Sequence, residues 1–341
     1  MKAVIIYNEN GKTVETPVVG TRVTEPDGSF SYTFDIPNTV PSELGAATMT
    51  INAEFEAGQE PAANTNANST FSAGVAVGVN VVRGKNNAFI KSGSITVGDG
   101  VNLSATTGSA NSTLKAIAGY SEGNIGIGGA IAVNVAAAKT NAIIGKAASI
   151  AIHDGALDVA AEADVRFGTL GDASGNKKAG SVGVGAGLGI AVTGADAVAA
   201  VQDGAILRAA GINGTKIIAT QKVSDTLSAK AGAAGGTAAT PVLALDITGS
   251  DTQAYLGALG AGSSLTLAGA ESPALSVVFA SGEASHEVAA NASAAGGRVG
   301  LGGAFDITII DDSAIARLST SLEANGVYVG AENSSTLKST S

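Results

Sequence analysis

Gly128 to Gly145 reads GGAIAVNVAAAKTNAIIG, and Gly74 to Ile90 reads GVAVGVNVVRGKNNAFI. Laid over one another, the two stretches share a Val-Asn-Val core, Val79-Asn80-Val81 and Val133-Asn134-Val135. Three later segments continue the pattern: Ile190-Ala191-Val192, Leu245-Asp246-Ile247 and Phe305-Asp306-Ile307. The central residues follow one another at steps of 54, 57, 55 and 60. Eight residues after each centre comes alanine (Ala88, Ala142, Ala199, Ala254, Ala314), and two further on a mostly aliphatic column, Ile90, Ile144, Val201, Leu256 and Ala316. Self-similarity at a fixed long period is the signature of a repeat architecture.

Each unit carries further strand signals. Ser94 to Val97 leads through Gly98-Asp99-Gly100 into Val101 to Ala105, and Ser149 to Ile152 leads through His153-Asp154-Gly155 into Leu157 to Ala161. Period-two alternation broken by glycine corners reads as strand, turn, strand. Glycine recurs too often for helix, at roughly 1 kcal/mol each against alanine. Repeated β units that cannot bury their own apolar face stack on their neighbours. The expected fold is all-β: a wide right-handed parallel β-solenoid of about five repeats of 54–60 residues over 71–341, with the last repeat incomplete.

Composition limits the chemistry. The 341 residues include 47 Gly, no Cys and no Trp, with a net charge of −10 and only 4% aromatics. A core built from so few rings must be thin and aliphatic. Absence of cysteine excludes disulfides, cysteine-ligated zinc and thiol catalysis. The acidic balance speaks against nucleic acid, whose phosphates need clustered Lys and Arg. Ala179 to Val201 is apolar and long enough to span a bilayer, but its glycine content and alternation read as strand, so no membrane insertion is expected.

Residues 1–60 differ in texture. Five of the seven prolines lie in the first 61 residues, Ser29 to Ile36 and Thr48 to Phe55 alternate as strands, and Pro26-Asp27-Gly28 is a turn signature. This is a small antiparallel module, followed by a linker at 61–70.

The two quoted runs, each followed by an S-I-x-V/I strand and a glycine corner, resemble repeats of very large bacterial surface adhesins of the filamentous-haemagglutinin-like and leukotoxin-like types. The first 60 residues, with Glu25-Pro26-Asp27-Gly28-Ser29-Phe30-Ser31-Tyr32, look like part of a bacterial immunoglobulin-like domain. The resemblance implies a secreted or surface-anchored adhesin segment, a rigid rod that presents binding modules. Its partners would be neighbouring domains of a longer chain, host-surface or matrix ligands, or further copies. The alternatives are a self-assembling extracellular filament subunit and a β-helix polysaccharide lyase or hydrolase. The second needs charged grooves and aromatic sugar platforms that this composition lacks, so no enzymatic activity is expected.

Site candidates are few. Asp246 and Asp306 share a repeat column, with Asp311 and Asp312 close by, and stacked carboxylates could hold calcium through oxygen ligands. The column alternates with apolar neighbours, which reads instead as a solvated outer face. No cofactor is expected beyond the calcium that these carboxylates could hold. Asn80 and Asn134 are placed to stack as an amide ladder. His153 is expected at an exposed corner; His286, near Glu283 and Glu287, could suggest a metal, but an exposed loop is the expectation. Gly119-Tyr120-Ser121-Glu122-Gly123 matches a nucleophile-elbow pattern without the helix it needs. Gly11-Lys12-Thr13 lacks the upstream glycine of a phosphate loop.

Overall fold

The structure is a computed structural model describing residues 2–9, 12–19, 21–24, 30–33, 47–53, 56–59, 62–65, 69–120, 123–175, 179–268 and 275–341. Among the described residues there is no helix. Seven short strands open the chain: β1 (Lys2–Glu9), β2 (Lys12–Val19), β3 (Thr21–Thr24), β4 (Phe30–Thr33), β5 (Ala47–Ala53), β6 (Glu56–Gln59) and β7 (Ala62–Thr65). Ten more follow: β8 (Ser69–Val97), β9 (Gly100–Tyr120), β10 (Gly123–Ile152), β11 (Ala156–Ala173), β12 (Ala179–Val201), β13 (Ile206–Ile212), β14 (Gly214–Leu256), β15 (Ser264–Leu267), β16 (Leu275–Leu318) and β17 (Gly326–Thr340). The apolar stretch Ala179 to Val201 is strand β12, as its alternation indicated.

From β8 onward all pairing is parallel, in one open sheet that does not close into a barrel. Two kinds of run alternate along the chain. The first comprises β8, β10, β12 with β13, the second half of β14 with β15, and the second half of β16. The other comprises β9, β11, the first half of β14, the first half of β16, and β17. Each run pairs with its own kind one unit earlier and later. Strands β5, β6 and β7 pair parallel with β9, so the parallel sheet reaches back into the first 60 residues. Among the described residues, antiparallel pairing is confined to β1 with β2 and β5, and β3 with β4.

The corners are where glycine was expected. Gly155 has φ of 80°, and a side chain there would run into the backbone carbonyl of Asp99 in the preceding corner. His153 is exposed beside it.

Asn80, Asn134, Ala191 and Asp246 do lie opposite one another in successive rows. The fifth row corrects the alignment read from sequence. Asp246 faces Thr308, and Asp306 faces Ala244. The alanine column ends at Ala316 and the aliphatic column at Leu318, two residues later than the ungapped alignment placed them. Leucine fills that column better than the alanine first assigned. A slip of two keeps every side chain on its own face, whereas a slip of one would reverse them all. That is why the repeated Asp misled the alignment without disturbing the pattern.

The face that points inward also differs from the expectation. Asn134 and Ala132 are wholly buried, whereas Val79 and Val81, which flank Asn80, are 54% and 61% exposed. The Asn/Asp column is interior and the valines point outward. Sheet proximity explains the inversion. A Cβ on Gly187 would lie 2.3 Å from the carbonyl oxygen of Lys230 in the opposing run, and one on Gly189 would meet Leu227 at 2.8 Å. Stacked sheets normally sit ~10 Å apart; here the gap holds mostly Gly, Ala, Ser, Thr and Asn, with single larger side chains such as Leu114, Leu227 and Val242 among them. Where the runs separate, a fully aliphatic core forms around Ile144, Ile150, Leu157, Leu207, Ile217 and Leu256.

Candidate functional site

Between the aliphatic core and a second, alanine-rich cluster around Leu114, Ala132 and Leu227 runs a seam of buried polar side chains. Its early end is the amide ladder. Asn80 donates through Nδ2 to Asn134 Oδ1 at 3.2 Å and to Ser112 Oγ at 3.0 Å, and Asn134 Nδ2 donates to the Gly168 carbonyl at 3.2 Å. Every bond crosses between rows or between opposing runs, so the seam ties the layers together.

Its late end is ionisable. Asp225 and His286 face each other on adjacent rows of one run, and Asp246 reaches them from the opposing run. The three are buried, and one ligand atom from each lies within 4.8 Å of the others. Hydroxyls occupy one oxygen of each carboxylate. Thr193 and Thr248 donate to Asp225 Oδ2 at 2.6 and 3.2 Å, and Thr248 is 3.1 Å from Asp246 Oδ1. Asp225 Oδ1 and Asp246 Oδ2 find no donor among the surrounding groups, and the two carboxyls lie within hydrogen-bond reach of one another, a contact that a proton on Asp225 would close. His286 Nε2 lies 3.5 Å from Asp312 Oδ2, too far for a good hydrogen bond, and Nδ1 also lacks a partner. Ser250 holds the other oxygen of Asp312.

Burial governs the electrostatics. Desolvation first, and the neighbouring Asp246 second, push the Asp225 carboxyl up to about 7. Desolvation also raises Asp246, opposed by the Thr248 hydroxyl and the His286 ring. Putting ionised carboxylates into a dry interior is costly unless a cation or proton compensates.

Of the four aspartates singled out from sequence, the structure brings Asp246 and Asp312 into this cluster. Asp306 occupies an inward position one step away and accepts from Ser339, while Asp311 is exposed. His286 is buried in β16, not in an exposed loop. Its neighbours at period two, Ala284 and Val288, are apolar and buried, and that alternation was the signal that it points inward. Asp225 carries the same sign, between Val223 and Leu227. The donor set of one imidazole with carboxylates suits borderline divalent transition metals better than calcium, which takes six to eight oxygens. Of the two nucleotide and nucleophile patterns, Gly11, Ser121 and Glu122 lie outside the described residues.

The outer face of the first kind of run is the other notable surface. Five outward positions in each of five rows (73–81, 127–135, 184–192, 239–247 and 301–309, alternate residues) carry no polar or charged side chain. One column reads Val79, Val133, Ile190, Leu245, Ile307. Beside this face the charges are sorted. Arg83 and Lys139 lie in the early rows and Asp251 and Asp311 in the late ones.

No family model, curated protein or solved structure matches the chain.

Proposed function

We propose that residues 71–341 form a wide right-handed β-solenoid of about five repeats, and that it serves as a rigid structural segment of a secreted or surface-anchored bacterial adhesin. The observation that carries this reading is parallel pairing carried through five successive rows, with spacings of 54, 57, 55 and 62 residues between hydrogen-bonded partners. Backbone ladders along such a stack resist bending, and each added row extends it by ~4.8 Å. Such a segment would hold binding modules away from a cell surface. No turnover of pectin, alginate or hyaluronan is expected.

Deleting one whole row, residues 134–190, so that Val133 joins Ala191, tests the modular architecture. The shortened chain should fold cooperatively and, by cryo-electron microscopy, be one strand spacing shorter along the stack. A chain that no longer folds, or folds without shortening, would refute it. The assignment to an adhesin is tested on the source cells: antibody against the chain should label them intact, and labelling only after lysis would remove that role.

The outer face favours lateral association of two copies. Five rows at ~4.8 Å by five outward positions at ~6.7 Å make a patch of about 800 Å², near the ~800 Å² each partner contributes to a standard stable interface. Two such faces pack as aligned sheets. With the stacks antiparallel, Arg83 of one copy faces Asp311 of the other and Lys139 faces Asp251. Sedimentation should find a dimer, shifted to monomer by Leu245→Glu. A wild-type monomer at all concentrations would rule out the pairing.

A further inference from the structure

We propose that Asp225, Asp246 and His286 bind one zinc ion, or a similar borderline divalent cation, in the interior, with Asp312 orienting the imidazole. The proposal stands on the seam itself and does not depend on the adhesin reading. Clusters of buried acids alone would not suffice. Here, however, each carboxylate already has one oxygen held by a threonine hydroxyl, and in each the other oxygen has no donor unless a proton or a cation sits between the two carboxyls.

His286 adds the independent sign. It is wholly buried in the midst of these groups, and neither ring nitrogen has a hydrogen-bond partner. Buried polar atoms are normally satisfied, so several orphans converging in one place call for a missing partner. With a carboxylate 3.5 Å from Nε2, binding of the cation through Nδ1 would reproduce the carboxylate–histidine–metal arrangement that orients metal-bound imidazoles. Two carboxylate oxygens and a nitrogen are three of the four ligands of an ordinary zinc site, and ligand distances of ~2 Å need only a modest contraction of the cluster.

Metal there would do a defined job. Asp225 and Asp246 lie in β14 on opposing runs, and His286 lies in the following row, so one ion would clamp both runs and two rows. Because the cluster is closed from solvent, the ion must enter as the chain folds.

The test is refolding of the full chain from denaturant, with chelator or with zinc chloride, followed by desalting and elemental analysis. The expected result is about one zinc per chain and a higher melting midpoint for the zinc-refolded protein. Cobalt in place of zinc should give visible absorption bands of a low-coordinate site. His286→Gln and Asp225→Asn should lower retained zinc at least about tenfold while keeping the β circular dichroism spectrum. If those variants do not fold, the wild-type zinc content, melting shift and cobalt spectrum decide. Folded wild type that retains under about a tenth of an equivalent, with no melting shift, would overturn the site. The cluster would then be held by a proton shared between carboxylates.

Discussion

Replacing Gly187 by valine and, separately, its neighbour Leu188 by serine should have opposite rank from that expected of a conventional core. By residue type, leucine should be the buried member of the pair and glycine the expendable one. The structure reverses this. Gly187 points into the narrow gap, where an added Cβ would sit 2.3 Å from the Lys230 carbonyl oxygen and 2.8 Å from its carbon. Restoring ordinary van der Waals distance requires the opposing backbone to retreat by about 1 Å, and valine adds two methyls beyond that. Overpacking of this kind costs about 1–3 kcal/mol, and the upper end applies because the obstacle is backbone of a paired sheet. Leu188 points outward and is only half-buried. Trading it for serine removes a partial contact with neighbouring rows, about 1 kcal/mol or less for a lone chain. Urea unfolding at dilute concentration, followed by circular dichroism, measures both. A Gly187→Val protein as stable as wild type, with Leu188→Ser destabilised by several kcal/mol, would show that inside and outside have been interchanged.

Other substitutions probe the rest of the interior. Asn134→Leu should destabilise by about 1–3 kcal/mol, since it strips Asn80 and Ser112 of buried partners; equal unfolding midpoints would deny the ladder. Leu157→Ala, in the aliphatic core, should cost about 2–5 kcal/mol by leaving a cavity, and a loss under half a kcal/mol would place Leu157 outside that core. In metal-free protein the raised Asp225 carboxyl makes stability fall with pH. The folded state binds the proton more tightly than the unfolded one, so stability is greatest below about 4. It is lost as pH rises through about 7, by at most about 1.4 kcal/mol per pH unit. Asp225→Asn should flatten that slope in pH-dependent melting, and an unchanged profile would assign the titration elsewhere.

Much of the architecture was legible because the relevant signals are local. Alternation, glycine corners and recurrence of the Val-Asn-Val core suffice to identify strands and their partners four rows deep. What could not be read were quantities set between rows. The fifth row carries its additional residues outside the repeated core, between the pairs Gly235–Gly296 and Thr237–Val299 for one of them, so the recurring Asp drew the alignment two residues short. The inside face was misjudged for a related reason. Hydropathy favours Val over Ala and Asn as core, yet the opposing backbone at Gly187 and the Leu227 side chain at Gly189 leave no room for valine in that row, although Val242 is buried in the next. The ionisable cluster was half visible. Asp246 and Asp312 stood out as acids near a repeat column, but Asp225 and His286 lie in the other kind of run. Only the three-dimensional closure of the seam brings those two together with Asp246.

The register of parallel rows underlies all of this, and a chain with no native cysteine lets it be tested cleanly by engineered cross-links. Facing positions one strand spacing apart suit a disulfide, whereas partners displaced by two residues lie roughly 8 Å apart, beyond its reach. Under mild oxidation, Leu245→Cys with Ile307→Cys should form an intrachain disulfide, and so should Val79→Cys with Val133→Cys. Leu245→Cys with Phe305→Cys should not. Efficient cross-linking of the 245–305 pair instead of the 245–307 pair, or of no pair at all, would contradict the stacked parallel arrangement described here.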